Sequence, residues 1–215
     1  MGKYKYILFD LDGTLTDSAK GIINGVRYAL KYYKIPEGDY QDLYRFIGPP
    51  MQTSFETFYG FEPDKAKEVV SVYREYYGTK GLFENEVYEH MEDVLKQLKN
   101  NGKKLFVATS KPQSYAVDIL EHFNLAQYFD YIGGATMDGK IGTKAQVIEH
   151  TLKEAHIDDL SEVVMIGDRH HDAEGAAETG IDCIGVLYGY GSEDELRKAG
   201  AKYIAHTVEE IPEFV

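Results

Sequence analysis

Apolar and polar positions along the chain fall into two textures. Residues 4–10 (Tyr-Lys-Tyr-Ile-Leu-Phe-Asp) are rich in aromatic and branched side chains and predict a buried strand that ends on an acid. From about Ser18 to Tyr77 the texture is helical. Ile22, Ile23, Val26, Leu30 and Tyr33 recur at helical spacing behind Ser18, a candidate cap. Pro36, Gly48-Pro49-Pro50 and Pro63 break this stretch into three or four short helices.

After Gly81 strands and helices alternate. The pattern predicts helix 88–100 closed by Asn101-Gly102, strand 104–109, helix 112–122, a short strand near 130–133 and helix 143–156. Strand 162–167, helix 172–179, strand 181–187, helix 192–199, a short strand near 203–205 and a last helix near 208–214 follow. Near-continuous apolar strands alternating with helices mean an α/β fold, a doubly wound, Rossmann-like parallel sheet covered on both faces. The expected core is 1–16 with 82–215, and 17–81 is an all-helical insert rising from the carboxyl edge of the sheet, where such folds bind ligands.

Composition narrows the function. Apolar residues make up 43% of 215 and the formal net charge is −13, so the chain is globular and its field repels polyanions; a nucleic-acid partner is not expected. Cys183 is the single cysteine, leaving no internal disulfide. Ile7-Leu8-Phe9 is too short for a membrane span or a signal-peptide core, so the expected compartment is the cytoplasm, with no membrane partner. Nothing in the pattern requires either a monomer or a homodimer.

The chemistry gathers where strands end. Asp10 and Asp12 follow the first strand, and Gly13 lets the chain turn so that both face one small volume. Asp168 and Asp172 follow the strand at 162–167, four residues apart at the mouth of a helix. Any single Asp there is ordinarily a cap, but two pairs on neighbouring strands bring four carboxylates together. Such a cluster repels itself until a hard cation relieves it, and Mg²⁺ favours a few carboxylates, waters and a substrate phosphate. Thr109 and Ser110 end the 104–109 strand before a helix N-terminus, a seat for an anion. Lys144, opening helix 143–156, supplies a cation suited to a phosphoryl transition state, with Lys140 in the preceding loop as its rival.

Asp10-Leu-Asp12-Gly13-Thr14, Thr109, Lys144 and Gly167-Asp168-x-x-x-Asp172, in that order, resemble the four motifs of the haloacid dehalogenase superfamily. The helical insert is similar to that superfamily's small α-helical cap. Phe46-Ile-Gly-Pro-Pro-Met51, Ser110-Lys-Pro112 and Gly185-Val-Leu-Tyr-Gly-Tyr-Gly191 are similar to its phosphoglycolate phosphatase-like and 5′-nucleotidase-like members. The resemblance implies a Mg²⁺-dependent phosphatase that hydrolyses a small phosphate monoester, with Asp10 as nucleophile and Asp12 as general acid and then base. It implies metal ligation by Asp10, Asp168 and the Asp12 backbone carbonyl, with Asp172 binding through water or orienting the others. Thr109, Ser110 and Lys144 would hold the phosphoryl group. Dehalogenases of the superfamily lack the second acid, so Asp12 disfavours dehalogenation. A phosphosugar mutase of the same fold and a non-catalytic phospho-acceptor module are the alternatives, the latter disfavoured by a DxDGT motif on the first strand.

Arg45 is the candidate for substrate specificity, able to reach a substrate carboxylate or second phosphate, and Tyr28, Tyr32, Tyr33, Tyr73, Tyr76 and Tyr77 concentrate in the insert. The pair His170-His171 is not read as a zinc site, because adjacent side chains at a helix start diverge and no third His or Cys stands at ligand spacing.

Overall fold

In a computed structural model residues 3–215 are described. The chain divides into two compact units, Met1–Thr16 with Val87–Val215, and Asp17–Glu86. The first begins with β1 (Tyr6–Phe9), and β2 (Thr16–Asp17) pairs with β3 (Glu86–Val87) where the chain leaves and returns. The second holds α1 (Ala19–Tyr32), a 3₁₀ turn at Tyr40–Phe46, α2 (Met51–Tyr59) and α3 (Pro63–Tyr77). The rest of the first unit runs α4 (Met91–Asn100), β4 (Lys104–Pro112), α5 (Gln113–His122), β5 (Tyr131–Ala135), α6 (Lys144–Glu154) and β6 (Val163–Gly167). It closes with α7 (His170–Thr179), β7 (Asp182–Val186), α8 (Glu193–Lys198), β8 (Tyr203–Ala205) and α9 (Ile211–Phe214).

Among the described residues the main sheet has six strands in the order β5-β4-β1-β6-β7-β8, all pairs parallel. The chain moves outward from β1 to β4 and β5, then returns to the other side of β1 for β6. That reversal makes the carboxyl ends of β1, β4 and β6 the crevice of the fold. Ile7, Leu8 and Phe9 on β1 are buried, and so is every residue of β6. Burial on both faces selects apolar runs, and each large side chain so buried contributes about 1.5–3 kcal/mol. Phe9 pairs with Val107 and Ile166, and Asp10 N donates to Ile166 O at 2.9 Å, so Asp10, Thr109 and Asp168 leave neighbouring strands at one edge.

The helical unit has its own core of Leu43, Phe46, Phe55, Val69, Tyr73 and Tyr77, with the Phe46 and Phe55 rings 5.1 Å apart. The tyrosines divide accordingly: Tyr73 and Tyr77 are buried, while Tyr28 and Tyr32 are exposed. This unit extends to Glu86, beyond the expected residue 81, because Glu84 ties the segment to α1. Its carbonyl accepts from Gly21 N at 3.0 Å and its carboxylate from Asn24 Nδ2 at 2.9 Å.

Element boundaries differ from expectation at three instructive places. β4 runs to Pro112, past the expected 109, by continuing along β5 through a register shift between Thr109 and Pro112. α7 starts at His170 instead of 172, so Asp172 stands in its first turn. Ser18 does not cap α1: its backbone is outside the extended region, and Asp17 Oδ1 takes the Ala19 N–H at 3.1 Å instead.

α6, which carries Lys144, begins with a reciprocal cap. Thr143 Oγ1 accepts from Gln146 N at 3.3 Å, and Gln146 Oε1 accepts from Thr143 N at 3.2 Å. Thr143→Ala is expected to lower unfolding stability by about 1 kcal/mol, while Thr143→Ser retains most of it. Urea denaturation of both variants checks this.

Candidate active site

The DxDGT segment turns immediately after β1. Leu11 O accepts from Leu15 N at 2.9 Å and Thr16 N at 3.0 Å, and Gly13 N donates to Thr16 O at 2.8 Å. Gly13 has φ +82°, and a Cβ there would collide with Asp168 Oδ2. This turn therefore brings the first motif against the fourth only because position 13 lacks a side chain.

Asp10, Asp168 and Asp172 are all buried, and one carboxylate oxygen from each lies within 4.8 Å of the others. Lys144 Nζ stands among them, 2.8 Å from Asp10 Oδ1, 2.8 Å from Asp172 Oδ1 and 3.0 Å from Ala108 O. The Asp172 contact is an ion pair without hydrogen-bond alignment, since that oxygen has no hydrogen-bond partner among the described residues. Asp10 Oδ1 also accepts from Leu11 N at 2.8 Å. Asp168 receives Thr14 Oγ1 at 3.3 Å and Tyr190 N at 2.8 Å.

The charges are unbalanced, and the acidities record it. Burial pushes the Asp168 carboxyl well above the usual carboxylate range, and Asp172 and Asp10 push it further, against the Tyr190 N–H. Burial raises Asp172 too; Lys144 pulls it back and Asp10 raises it again, leaving it at about 6. For Lys144, burial works to lower the ammonium, but the carboxylates of Asp10 and Asp172 outweigh it and hold the group above the ordinary lysine range.

Asp12 is set apart from this trio. Its Oδ2 lies 2.9 Å from Lys111 Nζ, both side chains are buried, and its Oδ1 has no hydrogen-bond partner among the described residues. The two acids of the first motif thus face different cations. Lys111 was not among the expected site residues; it follows Ser110 on the extended end of β4, where alternation sends neighbours to opposite faces. Thr109 is buried and its Oγ1 accepts from Lys111 N at 3.3 Å, so it shapes the same turn, and Ser110 is half-buried beside it.

Lys140 is exposed and paired with Asp138 at 2.9 Å, so Lys144 is the lysine the fold delivers to the acids. Arg45 lies in the helical unit, exposed, its guanidinium 4.4 Å from the centre of the Phe58 ring. Sequence reasoning also undervalued the loop after β7. Tyr190 N binds Asp168, Tyr188 Oη donates to Thr14 O at 3.0 Å, and a Cβ at Gly191 would collide with the Asp168 carbonyl. The His170 and His171 rings do not diverge as expected; their centres are 3.7 Å apart.

A divalent cation fits this site. Three buried carboxylates crowd together, Lys144 pairs with two of them, and the all-oxygen donor set suits a hard ion. Bound there, such an ion would reverse the repulsion that raises Asp168 and Asp172.

The parallel sheet brings Asp10, Thr109, Lys144 and Asp168 together at the carboxyl ends of its strands. Residues 7–186 match the haloacid dehalogenase-like hydrolase family, and the chain belongs to it. Its class within that family is the phosphatases. It is similar to a 5′-nucleotidase of Pseudomonas aeruginosa, 45% identical over 195 residues that cover 91% of this chain and 88% of that protein. It is similar also to the tyrosine-protein kinase PtkA of Mycobacterium tuberculosis, 40% identical over 96% of this chain and 71% of that one. Among solved structures, a predicted phosphatase from Clostridium acetobutylicum superposes with a TM-score of 0.95 at 47% identity, covering 98% of this chain and 97% of the other.

The electrostatics make a measurable claim. Because Asp168 is destabilised as an anion, Asp168→Asn is expected to raise the thermal midpoint of metal-free protein, about 2–4 °C for each kcal/mol relieved. Between the usual carboxylate range and about pH 6, folded Asp172 keeps a proton that the unfolded chain has lost. Stability in EDTA therefore falls as pH rises through that window. Millimolar Mg²⁺ or Mn²⁺ should reverse the loss in the wild type and do so less in Asp168→Asn, read by thermal denaturation.

Proposed function

We propose that the protein is a Mg²⁺-dependent phosphatase of small soluble phosphate monoesters, working through an aspartyl-phosphate on Asp10. The sheet unit is its catalytic domain, and the helical unit is the cap that selects substrate, with Arg45 as a specificity residue. The observation that carries this reading is the separation of the two acids of the first motif. Asp10 lies with Lys144 and the acidic trio, whereas Asp12 lies with Lys111.

In the first step a carboxylate oxygen of Asp10 attacks phosphorus, the ester P–O bond breaks, and Asp12 gives its proton to the departing alkoxide. In the second step Asp12, now a carboxylate, takes a proton from water as that water attacks phosphorus. The Asp10–phosphorus bond breaks and inorganic phosphate leaves. One group serves both half-reactions because the second needs the reverse proton transfer. Lys144 fixes the Asp10 carboxylate and offers positive charge to the phosphoryl oxygens; Thr109 and Ser110 supply donors on the other side. Lys111 holds the Asp12 carboxylate in place. Asp10, Asp168 and the Asp12 carbonyl would hold Mg²⁺, with Asp172 orienting them, and the ion would neutralise charge on the transferring group.

Phosphoglycolate-type esters and nucleoside 5′-monophosphates are the substrate classes, the latter favoured by the name of the Pseudomonas relative. The test is phosphate release from a panel of phosphoglycolate, nucleoside 5′-monophosphates, sugar phosphates, pyrophosphate and phosphotyrosine, the last because of the mycobacterial relative's name. We expect EDTA-sensitive release from a preferred ester and none from Asp10→Asn. No release from any ester, or turnover retained in Asp10→Asn, overturns the reading. Asp12→Asn is expected to slow both formation and breakdown of the acyl phosphate by at least about 10²-fold, measured in single-turnover experiments.

A further inference from the structure

α7 carries a second group of ligand atoms that the acid trio does not use. One ring nitrogen from His170, one from His171 and one carboxylate oxygen from Glu174 lie within 4.8 Å of one another. Glu174 follows His170 by four residues and His171 by three, so one helical turn sets its carboxylate beside both rings. Glu174 is the third ligand at suitable spacing, in place of a third His or Cys. The rings themselves lie with their centres 3.7 Å apart and their planes at 45°.

Glu195 accounts for the placement of His170. Its Oε1 lies 2.7 Å from His170 Nδ1, and accepts from His170 N at 2.9 Å and from Arg169 Nε at 2.9 Å. A carboxylate paired with arginine only accepts, so Nδ1 is the donor of this contact and Nε2 is the ring nitrogen left for a ligand. A carboxylate behind the non-ligating nitrogen is the usual arrangement for a metal-binding histidine. His171 and Glu174 make no hydrogen bond or ion pair with any other described residue, so no protein cation or donor competes for their ligand atoms.

Two imidazoles and a carboxylate form a donor set for a borderline divalent ion with a fourth position left to water, and a poor one for Mg²⁺. Ligands of tetrahedral zinc stand about 3.4 Å apart when each bond is about 2.0–2.1 Å, so the set closes by rotation of the part-exposed rings and the exposed Glu174 side chain. We propose that His170, His171 and Glu174 form a second cation site on α7, selective for a borderline divalent ion such as Zn²⁺, with Glu195 as the positioning residue for His170. This site does not depend on the phosphatase reading, because its ligands are not those of the reaction.

The test is calorimetric titration of Zn²⁺ into the whole protein in excess Mg²⁺, in an Asp168→Asn background that disables the oxygen site. We expect one Zn²⁺ per chain, and at least tenfold weaker binding after either His170→Ala or Glu174→Gln. Glu195→Gln is expected to weaken it as well, by a smaller factor. Co²⁺ in place of Zn²⁺ should give visible d–d absorption that both ligand variants lose. His90, His122, His150, His156 and His206 remain in every variant, so their contribution cancels. Circular dichroism of the variants, both at solvent-accessible positions, confirms folding. Unchanged Zn²⁺ affinity and an unchanged Co²⁺ spectrum in His170→Ala and Glu174→Gln overturn the proposal.

Discussion

Three buried carboxylates and one buried ammonium set the terms for the rest of the sheet unit. Lys144 is held by Asp10 and Asp172 at equal distance, and its third contact is the Ala108 carbonyl on β4. Burial and the mutual repulsion of the carboxylates outweigh the donors they have, which is why Asp168 and Asp172 resist ionisation. Each element around the site can be understood as serving that imbalance. β1, β4 and β6 deliver the acids and the carbonyl in register, α6 starts at the lysine, and α7 opens just after Asp168. A structure selected for stability alone would not bury this set; one selected to hold a cation and a phosphate beside it has reason to.

Much of this was readable from residues. β1, β4 and β6 announce themselves because a parallel strand covered on both faces has no polar face to show, and the resulting apolar runs end on Asp10, Thr109 and Asp168. The choice between Lys144 and Lys140 was open in the sequence, because one lies within the loop and the other just after it; only the fold shows one buried and the other in solvent. The start of α7 was misplaced because His170 and His171 give no apolar periodicity. The return point of the helical unit was misplaced for a similar reason: Glu84 binds it through a carbonyl and a carboxylate, and neither leaves a mark in hydropathy.

The Lys111–Asp12 pair was hidden for a different cause. It joins the end of β4 to the turn after β1, so it is a contact across nearly half the chain between two residues that each look ordinary. Its effect is to give each acid of the first motif its own counter-ion. Identical side chains two positions apart then sit in different electrostatic surroundings, and a division of labour between them needs no difference in residue type.

The absence of a side chain at two positions has a consequence for how the site can change. At Gly13 and Gly191 the space a methyl group would take is already filled by Asp168. Alanine at either position would have to displace Asp168, so this wall cannot be reshaped one atom at a time. The two compact units of the chain differ in this respect. One is pinned by its chemistry, and the other is held together by ordinary aromatic packing that tolerates exchange.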